Sequence, residues 1–471
     1  MNSTPTNKAA FTTGSTMRHV TVMSSTGAIG LVAIFLVDLA NLFYISLLGE
    51  QALAAAIGYA ATVIFFAVSV CIGFTIAATA ITARAIGRGD EEEARIIAGA
   101  CLMIMLAMST LLSFVLYISI DFSLDLLGAK GATHTIAADF MRITVPSIPL
   151  LGIGMCCAGL LRAKGDAKRA MYVTLSSGIA AAAIDPVMIF YFDLGITGAA
   201  ISVVIVRTLF VLVGFHGTIK VHNMIALPSV LDVSRFLRPF MRIGIPAVLT
   251  QIATPFGNAY ITSSIANFGD DAVAGWAIVG RIVPLAFAAI FSLSGAVGPI
   301  ISQNYGAGKL ERVNSTMRDS LIFTICYVIA MWALIALMTN PIISAFSAKG
   351  DAVAMIEVFC YIVAGTQIFN GLLFVANAAF NNLDHPIYST VFNWGRATLG
   401  VVPFAYFGSN WGPQGIIIGW GLGGVVFGIL AWLAALRVLK NLPKQALKEG
   451  ISIQIPPTAN SPFTSGRNAG M

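Results

Sequence analysis

The chain contains about twelve apolar runs of about 20 to 25 residues, each long enough to cross a hydrocarbon core of about 30 Å as a helix. They fall near 24–47, 52–80, 94–118, 137–161, 168–191, 196–217, 241–266, 272–299, 315–338, 353–379, 387–407 and 413–437. In lipid every backbone N–H and C=O needs a partner within the protein, which leaves only helices or a closed barrel. Runs of this length without period-2 alternation exclude the barrel. The expected fold is an all-α polytopic membrane protein with twelve transmembrane helices. Composition points the same way: 57% of residues are apolar and 10% charged, where a soluble domain carries about a quarter charged residues. The first run is too long, and its N-terminal flank too polar, for a cleaved signal peptide.

Charge placement gives orientation. Loops after the even-numbered segments hold fourteen Lys and Arg, among them Arg84, Arg88, Lys164, Arg235 and Arg312, against Lys130 and Lys349 after the odd-numbered ones. The positive-inside rule then puts the even loops and both termini in the cytoplasm. The net charge of +6 is thus an orientation signal and not a nucleic-acid footprint. All six cysteines lie in or beside apolar segments without CxxC spacing and read as small packing residues. No HExxH, GxSxG or Walker A pattern is present, so neither an enzyme nor a metal or organic cofactor is expected.

The chain is one unit written twice. ARAIGRGDEEEAR (83–95) lies over SQNYGAGKLERVN (302–314), with Gly87 over Gly306 and Gly89 over Gly308. The AKG of LLGAKGA (126–132) and that of FSAKGDA (346–352) have the same offset of 219, LGEQALAA (48–55) and FGDDAVAG (268–275) are offset by 220, and LGITGAAI (194–201) and WGPQGIII (411–418) by 217. Six helices per copy make the repeat parallel, with the substrate path between the halves. The expected organisation is an N-terminal tail (1–23), an N-lobe (24–217), a cytoplasmic linker (218–240), a C-lobe (241–437) and a partly disordered tail (438–471).

Ionisable groups inside such helices are costly and usually functional. Asp38 in LVAIFLVDLANLF and Asp185 in AAAIDPVMIF are the two clear cases, both in the N-lobe and at similar depth. Burial and a second nearby carboxylate both raise a carboxyl pKa toward neutrality, so the pair suits a proton that is loaded and unloaded as access alternates. Sodium is the rival ion, and two idle, internally satisfied acids are the competing reading. Pro186 cannot donate to the helix ladder and bends the helix beside Asp185. Of the arginines in apolar surroundings, Arg207 is a candidate partner for an N-lobe acid, while Arg281 and Arg396 are expected to reach a headgroup. The C-lobe carries neutral polar residues instead: Gln251, Asn258 and Tyr260, then Gln367, Asn370 and Asn377, the last three sharing a helix face. They read as a cavity lining or as helix-to-helix hydrogen bonding.

Several stretches in order resemble the multidrug and toxic compound extrusion (MATE) transporters: LLGEQALAAA, the glycine-bearing loop after the second segment, LLRAKGDAKRAM, IDPVMIF followed by LGITGAAI, and SQNYGAGKLER. The resemblance spans about 24 to 437. It implies two six-helix bundles around a V-shaped cleft and drug export driven by inward protons or sodium, with Asp185 matching the acid of the family's helix 5 motif. The family's helix 1 acid corresponds to Asn41, and Asp38 lies one turn earlier on the same face. Ala181, Thr26 and Phe140 stand where the family usually has Asn, Pro and Tyr. Fewer oxygen ligands favour a proton over sodium. The reading is a monomeric antiporter of the bacterial inner membrane that exports amphipathic or cationic organic compounds; a lipid-linked precursor flippase is the alternative.

Overall fold

The computed structural model describes residues 9–46, 51–448 and 450–452. Its described elements are all helical. We label the crossings α1 (Thr16–Ser46), α2 (Gln51–Arg88), α3 (Glu91–Ile118), α4 (Gly131–Lys164), α5 (Ala167–Tyr191), α6 (Gly195–Val221), α7 (Val230–Ala266), α8 (Asp270–Ala286 and Ala288–Gly306), α9 (Leu310–Leu337), α10 (351–382), α11 (386–408) and α12 (Gly412–Lys448). Short helices Ile120–Leu126 and Thr339–Ala345 precede α4 and α10.

Length and apolarity alone mark nine spans among the described residues, and the two parts of α8, bent by 45°, make another. The stretch Pro386–Leu447 counts once by that test although it is 62 residues long, about 93 Å if straight at 1.5 Å per residue. It turns back at Gly412, whose φ of 79° suits glycine, and so crosses twice. The twelfth crossing is α7, whose hydropathy is diluted by Gln251, Thr254, Asn258 and Tyr260.

Helix starts follow local chemistry. Asp90 accepts from the Glu93 N–H to cap α3, Asp166 does the same from Arg169 for α5, and Ser229 with Asp232 forms a capping box for α7. Of the stretch 218–240, only 222–229 connects helices, since α7 already begins at Val230. Helix α12 continues to Lys448.

The repeat is visible in the backbone. Gly89 and Gly308 both take positive φ (82° and 70°), as do Gly131 and Gly350 (57° and 53°) and Gly195 and Gly412 (51° and 79°). Each pair ends or starts equivalent helices of the two halves.

The lobes meet through α1 and α2 on one side and α7, α8 and α9 on the other. At Gly87 a Cβ would lie 2.1 Å from the Gln303 carbonyl oxygen, and at Gly306 a Cβ would lie 2.3 Å from that of Arg84. Residues 84 and 303, like 87 and 306, are 219 apart, so the two contacts are reciprocal about a pseudo-twofold axis, the logic of an isologous interface. Further along, Gly244 packs against Phe74, Gly73 against Val248, and Gly27 against Ser292. All of this lies toward the end bearing the arginine-rich loops. Just beyond Ser292, α8 bends at Phe287, where Pro284 has removed a ladder hydrogen bond.

Candidate transport site

On α7, residues Gly244 and Val248 touch α2, and Gln251 and Asn258 continue the same face at helical spacing. Asn258 is exposed and Gln251 half-buried. On α2 the matching stripe from Ala77 and Phe74 through Val70 reaches Phe66, 45% exposed, and Thr62, also exposed. These stripes are the facing walls of a cleft that is closed at the arginine-loop end. Tyr260 is half-buried on α7, outside this stripe.

Asp185 is 3% exposed on α5. Its face is set by glycine packing: Gly30 of α1 lies against Thr174, and a Cβ at Gly178 would lie 3.6 Å from the side chains of Ala33 and Val37 of α1. Asp185 is seven residues, about two turns, beyond Gly178 and thus on the face turned to α1. Past it, Phe190 meets Tyr44 of α1 edge to face at 6.2 Å. The offset between contacting residues stays near 144, so the two parallel helices run in register and position 41 of α1 is level with Asp185. The side chains of Asp38 and Asn41 lie outside the described residues. After Pro186 the helix widens into a π turn over Val187–Tyr191, a feature that recurs at functional sites.

Arg207 holds a different position from the one sequence suggested. Its guanidinium donates to the Thr144 carbonyl at 2.8 Å and to Ser147 Oγ at 2.7 Å, where α4 tightens to a 3-10 turn over Val145–Ser147. It bonds the break in α4.

In the C-lobe, Asn370 donates to Gln367 Oε1 at 2.9 Å, Arg396 donates to Asn370 Oδ1 at 3.3 Å and to Thr254 Oγ1 at 3.1 Å, and Asn393 donates to Asn377 Oδ1 at 3.0 Å. Gln367, Asn370 and Asn377 are buried on α10, which packs against α12, α8 and α11. Arg396 corrects the expectation of a headgroup contact: it is 9% exposed, at the start of a π turn (Arg396–Gly400) inside the lobe. Arg281 is exposed.

Sequence reasoning missed the seal at the closed end. Arg84 of α2 pairs with Asp384 across the lobes at 2.6 Å and donates to the Asn382 carbonyl at 2.8 Å. The segment before α1 lies across both lobes. The Phe11 N–H donates to Gln303 Oε1 at 2.9 Å, while Gln303 Nε2 donates to the Ala163 carbonyl at 2.6 Å. Asn304 and Arg312 donate to the Phe11 carbonyl at 3.1 and 2.8 Å, Arg312 also to Thr13 and Gly14, and Lys309 to Thr12 at 3.0 Å. The Phe11 ring is buried. The available signal was Gln303 and Asn304, two amides ending an apolar helix beside a repeated glycine.

The MatE family model matches residues 28–187 and 246–407. Among curated proteins, a FAD transporter of Shewanella oneidensis is 26% identical over 424 residues, covering 88% of this chain and 93% of the relative. The multidrug export protein MepA of Staphylococcus aureus is 25% identical over 349 residues, covering 71% and 74%. The crystal structure of a Vibrio cholerae MATE transporter, VcmN, superposes with a TM-score of 0.85 at 24% identity, covering 91% of this chain and 98% of that one. The twelve-helix, two-lobe architecture is that of these transporters.

Proposed function

The chain belongs to the MatE family of membrane transporters, and from that premise we propose that it is an antiporter of the bacterial inner membrane that exports amphipathic organic compounds, cationic ones among them, in exchange for inward protons. Sodium is the alternative coupling ion. The observation that carries this reading is Asp185, a carboxylate at 3% exposure on the α5 face turned to α1, beside a helix irregularity and in one lobe of a two-lobed protein. Relatives named for multidrug and FAD transport support an organic cargo.

With the arginine-rich loops on the cytoplasmic side, the cleft described here faces outward. Protonation of Asp185, together with Asp38, in this state removes buried negative charge and alters the α1–α5 packing. A coupling ion drives a conformational change only through different affinity for the two states, and the changing access of this site provides that difference. Deprotonation toward the cytoplasm after the lobes rock resets the cycle.

The test is drug-induced ion exchange in everted vesicles, comparing wild type with Asp185→Asn and Asp38→Asn while the imposed gradient is switched from protons to sodium. Loss of exchange in Asp185→Asn at normal protein levels supports the reading. Normal exchange in both variants removes the acids from the mechanism, and exchange that follows only sodium reassigns the ion.

A further inference from the structure

Resting on the export function above, we propose that the Arg396 cluster of the C-lobe is a subsite for the carboxylate or phosphate group of organic anions, so that the cargo includes anionic amphiphiles. The cluster is a hydrogen-bonded chain in which Arg396 donates to Thr254 Oγ1 at 3.1 Å and to Asn370 Oδ1 at 3.3 Å, and Asn370 donates to Gln367 Oε1 at 2.9 Å. The acceptors that Arg396 meets in this chain are a neutral amide oxygen and a hydroxyl, and the ion pairs among the described residues do not include it. A buried cation of this kind is costly without a counter-charge.

The atoms left over in the chain have one character. Arg396 Nε and Gln367 Nε2 are both buried without a hydrogen-bond partner, and both are N–H donors. A cluster whose surplus is donors, one of them cationic, is completed by an anionic acceptor with several oxygens. The planar guanidinium fork matches a carboxylate or phosphate in shape as well as charge.

The cluster also has a route to the cleft. Thr254, half-buried, stands three residues after Gln251 and four before Asn258 on α7, so it adjoins the cleft wall on the helix surface. A π turn begins at Arg396, a helix irregularity that recurs at functional sites.

The experiment uses the full chain in nanodiscs and two fluorescent probes of similar size, fluorescein as the anion and ethidium as the cation, read by anisotropy. Wild type is expected to bind both. In Arg396→Gln the fluorescein Kd rises at least about tenfold relative to that of ethidium, equivalent to about 1.4 kcal/mol, and Arg396→Lys falls between. The ratio of the two constants is the readout, because a loosened protein moves both alike. Gln367→Glu removes one of the two surplus donors and places an internal carboxylate at the end of the same hydrogen-bonded chain, and is expected to lose fluorescein binding while its thermal stability holds or rises, which a damaged fold does not do. An unchanged ratio in Arg396→Gln, or no fluorescein binding by wild type, overturns the subsite while leaving cation-driven ethidium export standing. If instead millimolar chloride displaces fluorescein and stabilises wild type but not Arg396→Gln, the site holds an inorganic counter-ion and the inference about cargo is wrong. Failure of wild type to export ethidium on any ion gradient would sink the transport reading itself.

Discussion

Replacing Gly87 with Ala is expected to destabilise the closed arginine-loop end and shift the transporter toward the opposite state. The added Cβ would sit 2.1 Å from the Gln303 carbonyl oxygen, 2.7 Å from its Cα and 2.8 Å from its carbonyl carbon. These are backbone atoms of a buried helix, so no side chain can swing away. Restoring an ordinary contact of 3.4 Å requires α2 and α8 to part locally by about 1.3 Å, and overpacking of this kind costs about 1 to 3 kcal/mol. The clash exists only while the lobes touch here, so the cost acts as a difference between the two states, about 5- to 150-fold in their ratio. Gly306→Ala, whose Cβ would lie 2.3 Å from the Arg84 carbonyl oxygen, is the pseudo-symmetric counterpart and is expected to act in the same direction. The assay is double electron–electron resonance between spin labels at Glu92→Cys and Glu311→Cys, exposed equivalent positions at the starts of α3 and α9. The exposed Cys326 is first replaced by Ser, the other five cysteines being buried. The longer-distance population should grow in both glycine variants, with a parallel fall in export. An unchanged distance distribution with full transport in Gly87→Ala would refute the idea that this crossing is the closure point.

Two further predictions concern the same end of the molecule. Arg312→Gln removes a charged donor from the carbonyls of Phe11, Thr13 and Gly14, and hydrogen bonds to charged groups are worth about 1.5 to 3 kcal/mol; faster amide hydrogen exchange over residues 10–16 would confirm it, and unchanged exchange would count against the segment as part of the seal. At Asp166, burial pushes the carboxyl up, but the Arg169 backbone N–H, the Arg169 side chain and His222 outweigh it and hold the group below its ordinary range. A depressed carboxyl stabilises the fold above its unfolded pKa and loses that contribution as pH falls through its folded pKa. The thermal stability of wild type should therefore exceed that of Asp166→Asn, which keeps an N-cap, at neutral pH and converge with it below about pH 4; a gap that persists in acid would refute the linkage.

Much of this architecture was legible from residues alone because lipid leaves the backbone so few choices. Run length fixed the helices, the 219-residue offset exposed the doubled unit, and Asp185 stood out because a carboxylate amid Ala, Ile, Val and Phe has no solvent to excuse it. The glycines that served as a ruler, Gly87 and Gly306, were legible as repeats but not as the place where the lobes touch. A pairwise approach of two backbones leaves no mark on either strand of sequence beyond the missing Cβ. Side-chain destinations were also beyond reach. Arg207 and Arg396 carry the same charge in similar apolar surroundings, yet one bonds the break in α4 and the other ends inside the C-lobe beside Asn370 and Thr254. Which polar groups a buried guanidinium meets depends on helix rotation and crossing, and those are set by packing among several helices at once. The segment before α1 shows this most plainly: AFTTGST has neither length nor periodicity to announce a role, and only the meeting of α4, α8 and α9 supplies the amides, lysine and arginine that hold its carbonyls across the closed end.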